Sequence, residues 1–366
     1  MRKTILIVGT NMMNIYHHRL ELIQSLLNKH YKVIVAAPKG GEEKELIKIG
    51  CQFIDTPVDN RGKSFKNDIS LIGSLIKICR QEKPNVILTF YTKTNIYGGL
   101  VARFLKIPYV ENITGLGSAF SNKGSLARIM EFLYKNAVRD SYLVFFQNES
   151  NRQFFLTHKL YKGKYAMLPG SGVSLERYYE LPYPKNNSTE FLFISRIMKE
   201  KGIEEYVKSA EILKEKYPEV VFHVVGPCES PYDKLMEEKN KAGIIKYHGK
   251  LYDVHDLLSK THCTVLPSYY PEGMANVLLE SAASGRPIIT TSLPGCGEAV
   301  EHNTTGYIVR EKSVESLTEA MERFLLLDIN DKEKMGKAGR KKMEKEFDRR
   351  VVTHKYISTI EEILSV

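Results

Sequence analysis

Short, continuous apolar runs alternate along the whole chain with longer stretches whose apolar positions recur every third or fourth residue. In the first half the runs predict strands at 4–8, 32–36, 52–56, 86–90, 109–113 and 142–146. Between them, 18–27 and 69–79 carry helical spacing. Runs that are apolar throughout, not at every second position, suit strands covered on both faces. Their alternation with helices predicts an α/β fold built on a parallel, doubly wound sheet. The pattern pauses over 170–189, where GSGVSLERYYELPYPKNNS is rich in Gly, Ser, Pro and Asn and reads as a linker. It resumes with strands at 191–195, 220–225, 245–247, 264–267, 288–291 and 307–309. The end of the chain reads as one amphipathic helix with Val351, Tyr356, Ile360 and Leu364 near one face. This predicts two Rossmann-like domains facing a cleft, 1–170 and 171–350, and a helix, 351–366, packing back towards the first. In such sheets ligands lie at the carboxyl ends of the strands.

Composition supports this division. A chain of 366 residues, 43% of them hydrophobic, is too long for one ordinary core. No window approaches the ~20 apolar residues of a spanning helix, and MRKTILIVGT lacks the longer apolar region of a signal peptide. Five scattered cysteines without a CxxC favour a reducing cytoplasm. The net charge of +10 is unevenly spread. Residues 1–170 hold 25 Lys and Arg against 12 Asp and Glu, or +13, and the remainder 28 against 31, or −3. Such an excess suits an anionic partner for the first half: nucleic acid, a phosphorylated substrate or an acidic membrane surface. A plain solvated basic surface suits it equally. No nucleic-acid reader motif is present, so no nucleic-acid partner is expected.

Several chemistries are disfavoured by what the turns contain. The first strand–helix turn, Gly9-Thr10-Asn11-Met12-Met13-Asn14, is not GxGxxG, and no P-loop, HExxH or paired Cys/His cluster occurs. No Asp-x-Asp follows a strand to hold a divalent cation, so no metal or other cofactor is expected. A diphosphate could instead be held by basic groups. In SRIMKEKGI, Arg196 and Lys201 follow a strand directly, and a fork and a point charge can reach one anion. An exposed basic turn would look the same. In VVGP, Gly226 ends a strand and would let a ligand approach the backbone. PEGMANVLLE begins a helix, and amides around Gly273, Met274, Ala275 and Asn276 would point outward at its start as an anion site. Glu272 and Glu280 would then stand about 12 Å apart if both were helical, a span comparable to a nucleotide sugar. Their carboxylates would accept from hydroxyls at either end while the diphosphate sat between. For Glu280 a surface acid is the plain alternative. The turn His248-Gly249-Lys250 also follows a strand and is a candidate base pocket.

EGMANVLLE, followed by SGRPIITTSLPGCGEAVEHNTTGYIV, resembles the nucleotide-sugar signature of glycosyltransferase family 4, retaining enzymes of the GT-B fold. VVGP, HGK and VLPSYYPEG resemble its other landmarks in order. The resemblance implies that Glu272 contacts the donor sugar and Glu280 the ribose, that Arg196 and Lys201 stabilise the leaving diphosphate, and that no metal is needed. GTNMMNIYHHR, FYTKTNIYGGL and NITGLGSAF resemble a subgroup extending undecaprenyl-diphosphate-linked sugars in capsule, O-antigen or N-glycan assembly, including bacterial α-1,3-N-acetylgalactosaminyltransferases. The implied reaction moves a sugar, an N-acetylhexosamine by preference, from a UDP-sugar to a polyprenyl-diphosphate-linked saccharide. A GT-B-type nucleotide-sugar epimerase and a non-catalytic nucleotide-sugar-binding partner of an assembly complex remain alternatives.

Many members of that family carry a histidine after the fifth strand, where this chain has Glu111-Asn112-Ile113-Thr114. His17 is the N-terminal candidate to approach the acceptor hydroxyl, with a structural histidine at the start of a helix as the plain alternative. Asn14, Lys93 and Asn95 are candidate acceptor or phosphate contacts, with exposed polar turns as the plain alternative. In KGSLARIMEFLYKNAVR, Lys123, Arg128, Lys135 and Arg139 accompany Leu126, Ile129, Met130, Leu133 and Val138. Such a helix can lie peripherally on the anionic inner face of the cytoplasmic membrane with its apolar side at the interface, or pack as an ordinary core helix.

Overall fold

The structure is a computed structural model describing residues 2–58, 65–115, 125–186, 188–270 and 272–365. It divides into two compact units, Met1–Gly172 with Arg349–Val366, and Val173–Asp348.

The first unit is built on β1 (Thr4–Val8), β2 (Lys32–Ala37), β3 (Gln52–Asp55), β4 (Val86–Phe90), β5 (Tyr109–Ile113), β6 (Leu143–Phe146) and β7 (Tyr165–Met167). All pairs are parallel, in the order β3-β2-β1-β4-β5-β6-β7. The continuous apolar runs have the expected cause, because both faces of the sheet are covered. Ile5 and Ile7 join Leu22, Ile23 and Leu26 of the helix Met12–Asn28 on one face. Leu6 and Val8 join Leu71 and Leu75 of the helix Phe65–Glu82 on the other. Strand order reverses between β1 and β4, and a crevice opens at the carboxyl ends of two such strands.

The helix Arg349–Ser365 belongs to this unit. Val352, Tyr356, Ile360 and Ile363 enter the core with Ile5, Ile7 and Phe90. Val351, expected on that face, is exposed, and Val352 takes its place. Arg349 ties the helix down, donating to the Gly172 carbonyl and pairing with Glu21 at 3.1 Å.

The second unit is built on β8 (Glu190–Ile194), β9 (Val221–Val225), β10 (Lys246–Tyr247), β11 (Cys263–Leu266), β12 (Ile288–Thr291) and β13 (Gly306–Val309). Again all pairs are parallel, in the order β10-β9-β8-β11-β12-β13, with the reversal between β8 and β11. The stretch expected as a linker is a packed strap. Tyr178, Leu181 and Tyr183 are buried, and the Tyr183 hydroxyl donates to the His262 carbonyl at 2.8 Å. No helix among the described residues is long and apolar enough to cross a membrane.

Candidate active site

In the second unit the site grows from the carboxyl end of β8. Ser195 and Arg196 follow the strand, and a 3-10 turn, Lys199–Lys201, comes next. Gly202 closes the turn at φ 79°, pressed so tightly on the end of β11 that a Cβ would lie 2.4 Å from the Pro267 carbonyl oxygen. The Tyr269 amide donates to the Glu200 carbonyl at 2.8 Å. This lacing brings Arg196 and Lys201 to one aromatic ring. The guanidinium carbon lies 5.5 Å and Lys201 Nζ 5.0 Å from the centroid of Tyr270. Arg196 Nη1 also donates to Glu229 Oε1 at 2.9 Å, and Lys201 Nζ is ion-paired with Glu272. The expected basic pair therefore converges, with a carboxylate beside each cation.

The two cations differ in setting. Arg196 is part-exposed, whereas the Lys201 side chain is 8% exposed. Burial brings the Lys201 ammonium down from the ordinary lysine value to about 8; Cys296 opposes that fall and the Arg196 charge adds to it. Burial in turn pushes the Cys296 thiol up to about 11. Lys201 is thus a charge held out of water, and a second anion beside it would favour its protonated form.

Two expectations about the following turn are corrected. The helix is Asn276–Ala283, so Glu272 precedes it and a two-turn separation from Glu280 does not apply. The Ala275 amide is not an outward donor, because it donates to the Gly295 carbonyl at 2.7 Å. Gly226, at φ 144°, is needed for a reason internal to the chain: a Cβ there would lie 1.7 Å from the Ser195 carbonyl oxygen. The Ser195 carbonyl alone is enough to require a bare backbone at this position.

What remains of the helix start is still suited to an anion. Gly273 and Met274 are buried in the turn, and Asn276 and Val277 stand at the first helical positions, where backbone amides point out along the helix axis. Asn276 and Glu280 are four residues apart and half-buried on one face, while Leu278, Leu279 and Ser281 turn inward. Gly295, at φ 89°, backs on Glu272, where its Cβ would lie 2.9 Å from the Glu272 Cβ. The Gly295 amide donates to Glu298 Oε2 at 2.7 Å. The 248–250 turn joins the same edge. The Gly226 amide donates to the Gly249 carbonyl at 2.8 Å, and Gly249 sits at φ 65° over open space.

Among the first-unit candidates, one is corrected. Asn95 lies within the helix Thr92–Phe104 and is fully buried, donating to the Asn112 carbonyl at 2.8 Å and to the Tyr134 hydroxyl. It braces the unit's interior and cannot meet an acceptor. Lys93 is paired with Asp68 at 3.2 Å, and Asp68 also accepts from Tyr97. Asn14 is in the first turn of Met12–Asn28, where its amide donates to the capping side chain of Asn11. His17 is half-buried, edge-on to Tyr16, with its carbonyl accepting from Arg349. In place of a histidine after β5, Glu111 is fully buried, and burial holds its carboxyl well above the usual range.

The basic helix is also turned from its expected aspect. Met130, Leu133 and Val138 of Ser125–Val138 pack inward, whereas Ile129 and Phe132 are 55% and 66% exposed. Lys123 lies outside the described residues, as does Pro271 beside Glu272. Tyr270, Glu229, Gly295 and Glu298 were not singled out in the sequence, although Tyr270 stood in the landmark VLPSYYPEG.

Two units, each built on a parallel sheet between helices, define the class to which the comparisons then give a family. Residues 182–342 match the family described as glycosyl transferases group 1, and residues 5–148 that described as glycosyl transferase 4-like. The chain belongs to these glycosyltransferases and is an enzyme of that kind. It is 26% identical over 373 residues, covering 96% of each chain, to the N,N'-diacetylbacillosaminyl-diphospho-undecaprenol alpha-1,3-N-acetylgalactosaminyltransferase of Campylobacter jejuni. It is 22% identical, over 83% of this chain and 82% of the other, to the UDP-Gal:alpha-D-GlcNAc-diphosphoundecaprenol alpha-1,3-galactosyltransferase of Escherichia coli. Its fold is that of Anabaena HepE, solved in complex with UDP and glucose, with a TM-score of 0.79, 15% identity, and 99% and 100% of the two chains covered. The fold is the two-domain GT-B type.

Proposed function

We propose that this glycosyltransferase moves a sugar, an N-acetylhexosamine by preference, from a UDP-sugar to a saccharide carried on a polyprenyl diphosphate, with retention and without a metal. The observation that carries this reading is the meeting of Arg196 and Lys201 over Tyr270, beside Glu272, at the carboxyl ends of β8 and β11. The two relatives support it through their named acceptors, both diphospho-undecaprenol saccharides, and the E. coli one through its named UDP-galactose donor.

As the bond between anomeric carbon and phosphate oxygen breaks, negative charge grows on the departing UDP. Arg196 and Lys201 would meet that charge already in place, the task a divalent cation performs elsewhere. Glu272 holds Lys201 in the resting protein and would accept from a donor-sugar hydroxyl once the diphosphate engages the lysine. Asn276 and Glu280, on one helix face, would receive phosphate and ribose. His17 would approach the acceptor hydroxyl, with Asn14 nearby on the same helix. A surface suited to the anionic membrane that carries such an acceptor is the exposed stripe Arg128, Ile129, Phe132, Lys135 and Arg139. At about 100° per residue the four that lie in the helix fall within an arc of roughly 120°, and Arg139 follows its end.

The test measures transfer from UDP-N-acetylhexosamines to a short polyprenyl-diphosphate saccharide in EDTA. Arg196→Ala should lower kcat about 100-fold while changing UDP affinity far less, because the charge it meets is largest in the transition state. Wild-type kcat in that variant, or a wild-type enzyme silenced by EDTA, would refute the reading. Conversion of donor without acceptor would point to an epimerase.

A further inference from the structure

The second unit contains a hydrogen-bonded file of side chains that the reading above does not use. His223 sits in β9, 4% exposed among apolar neighbours. Its Nε2 is 2.6 Å from Glu190 Oε2, and its Nδ1 is 2.9 Å from His248 Nε2. The two rings are inclined by only 24° with centroids 5.2 Å apart, the spacing of imidazoles joined end to end in nearly one plane. Register explains the file. Glu190 pairs with Val221, His223 with Lys246, and His248 lies two residues beyond Lys246. The three side chains therefore climb one face of the sheet, from the amino end of β8 to the turn after β10. That turn is bonded to Gly226, whose backbone abuts Ser195, the residue before Arg196.

The first member is held as an anion. Burial raises the Glu190 carboxyl, but the His223 bond and the charges of His223, Lys246 and His262 outweigh it and leave it below the usual range. Its other oxygen accepts from Asn186 Nδ2 at 2.8 Å. An anionic carboxylate can only accept, so Nε2 of His223 must carry a proton. When His223 is neutral its Nδ1 is then bare and must accept from Nε2–H of His248. A neutral His248 with its proton on Nε2 has a bare Nδ1. Burial, then the charges of His223 and Lys246, lower His248 below the ordinary histidine value, which favours the neutral ring. Each tautomer follows from the bond made by the other nitrogen.

We infer that Glu190 and His223 are positioning residues that fix His248 as a hydrogen-bond acceptor at Nδ1, and that this acceptor selects a donor base carrying an imino N–H. Uracil and guanine offer such a group; cytosine, with a bare N3, does not. The base half of this inference rests on the nucleotide-sugar reading. The tautomer half does not, and it is read without any ligand. A site built to accept from one N–H discriminates strongly against an analogue presenting a lone pair there, because two acceptors then face each other.

The experiment has two readouts at pH 8, on the neutral side of imidazole titration. Long-range ¹H–¹⁵N correlation of the ¹⁵N-histidine-labelled full chain assigns the tautomers, with His223→Phe and His248→Phe identifying the signals. Wild-type His248 is expected with its proton on Nε2. In Glu190→Gln, Asn186 favours the new carbonyl on its own side and leaves the amide NH₂ to donate to His223, which moves the His248 proton to Nδ1. UDP and CDP affinities are then measured by calorimetry. Wild type should prefer UDP, and Glu190→Gln should lose about tenfold in UDP affinity with CDP unchanged or improved. His223→Phe should also narrow the preference, since nothing then fixes the His248 tautomer. A wild-type His248 protonated at Nδ1, an unmoved tautomer in Glu190→Gln, or equal losses for UDP and CDP would overturn the inference. No UDP binding by wild type, with the tautomers as expected, would overturn the nucleotide-sugar reading and leave the file intact.

Discussion

Lys201 is expected to take up a proton when a nucleoside diphosphate binds. Its ammonium is shielded from water, and burial has lowered it from 10.5 to about 8. That difference corresponds to about 3 kcal/mol of disfavour for the charged form relative to water. A diphosphate placed against Nζ reverses the balance and raises the value above the assay pH. At pH 8.5 roughly three-quarters of Lys201 is neutral in the free protein, so binding should take up about 0.8 proton. UDP affinity should weaken about fivefold between pH 8 and 9. Calorimetry in two buffers of different ionisation enthalpy counts the proton directly. Lys201→Arg, which stays charged throughout, should show neither the uptake nor the fall. The same shift has a consequence for stability. Between pH 8 and 10.5 the unfolded chain keeps a proton that the folded chain has released, so stability relative to Lys201→Met rises with pH across that window, by about 3 kcal/mol in all. No uptake in wild type, or equal uptake in Lys201→Arg, would refute the reasoning.

Gly226→Ala places a Cβ on the Ser195 carbonyl at a φ that L-residues avoid, so thermal unfolding should show a loss of at least about 2 kcal/mol and UDP binding should fall with it; an unchanged melting temperature would be inconsistent with that contact. For the exposed stripe on Ser125–Val138, three basic residues at about 1 kcal/mol each predict roughly 100-fold stronger partition to phosphatidylglycerol vesicles than for a variant with Arg128, Lys135 and Arg139 changed to Glu. Sedimentation at low and high salt checks this, and Ile129→Ser with Phe132→Ser should weaken binding at both; equal binding by all three proteins would remove the membrane role.

The sheets were legible because fully buried strands leave long apolar runs. Ile5 to Val8 must be apolar at every position, since alternate residues serve opposite cores. β7 was not legible, because it is exposed at Tyr165, only half-buried at Ala166 and Met167, and carries no β-branched residue. The strap 170–189 was read as a linker from its Gly, Pro and Asn, although its Tyr178, Leu181 and Tyr183 are the residues that bury it. The basic pair could be read because its members are close in sequence. Its carboxylate partners could not: Glu229 and Glu272 reach Arg196 and Lys201 from 33 and 71 positions away, and no periodicity reports such a distance. The helix start was misplaced for a similar reason, since the bond from Ala275 to Gly295 is a long-range one. Asn95 was misread by one turn of helix, the difference between a strand-end loop and an inward-facing position. His223 did leave a signal, a single polar residue inside the apolar run VFHVV.

The place of the helix Arg349–Ser365 bears on how the chain can be made. Tyr356 and Ile360 belong to the core of the first unit, yet they leave the ribosome only after residues 173–348. At about 5–20 residues per second that interval is roughly 10–40 s. During it the nascent first unit has its strands β1 to β7 but an uncovered patch around Phe90, Phe145 and Ile7, while the second unit, continuous in sequence, has its whole core as soon as residue 348 is made. The order of completion is therefore the reverse of the order of synthesis, and the unit made first is the one left waiting.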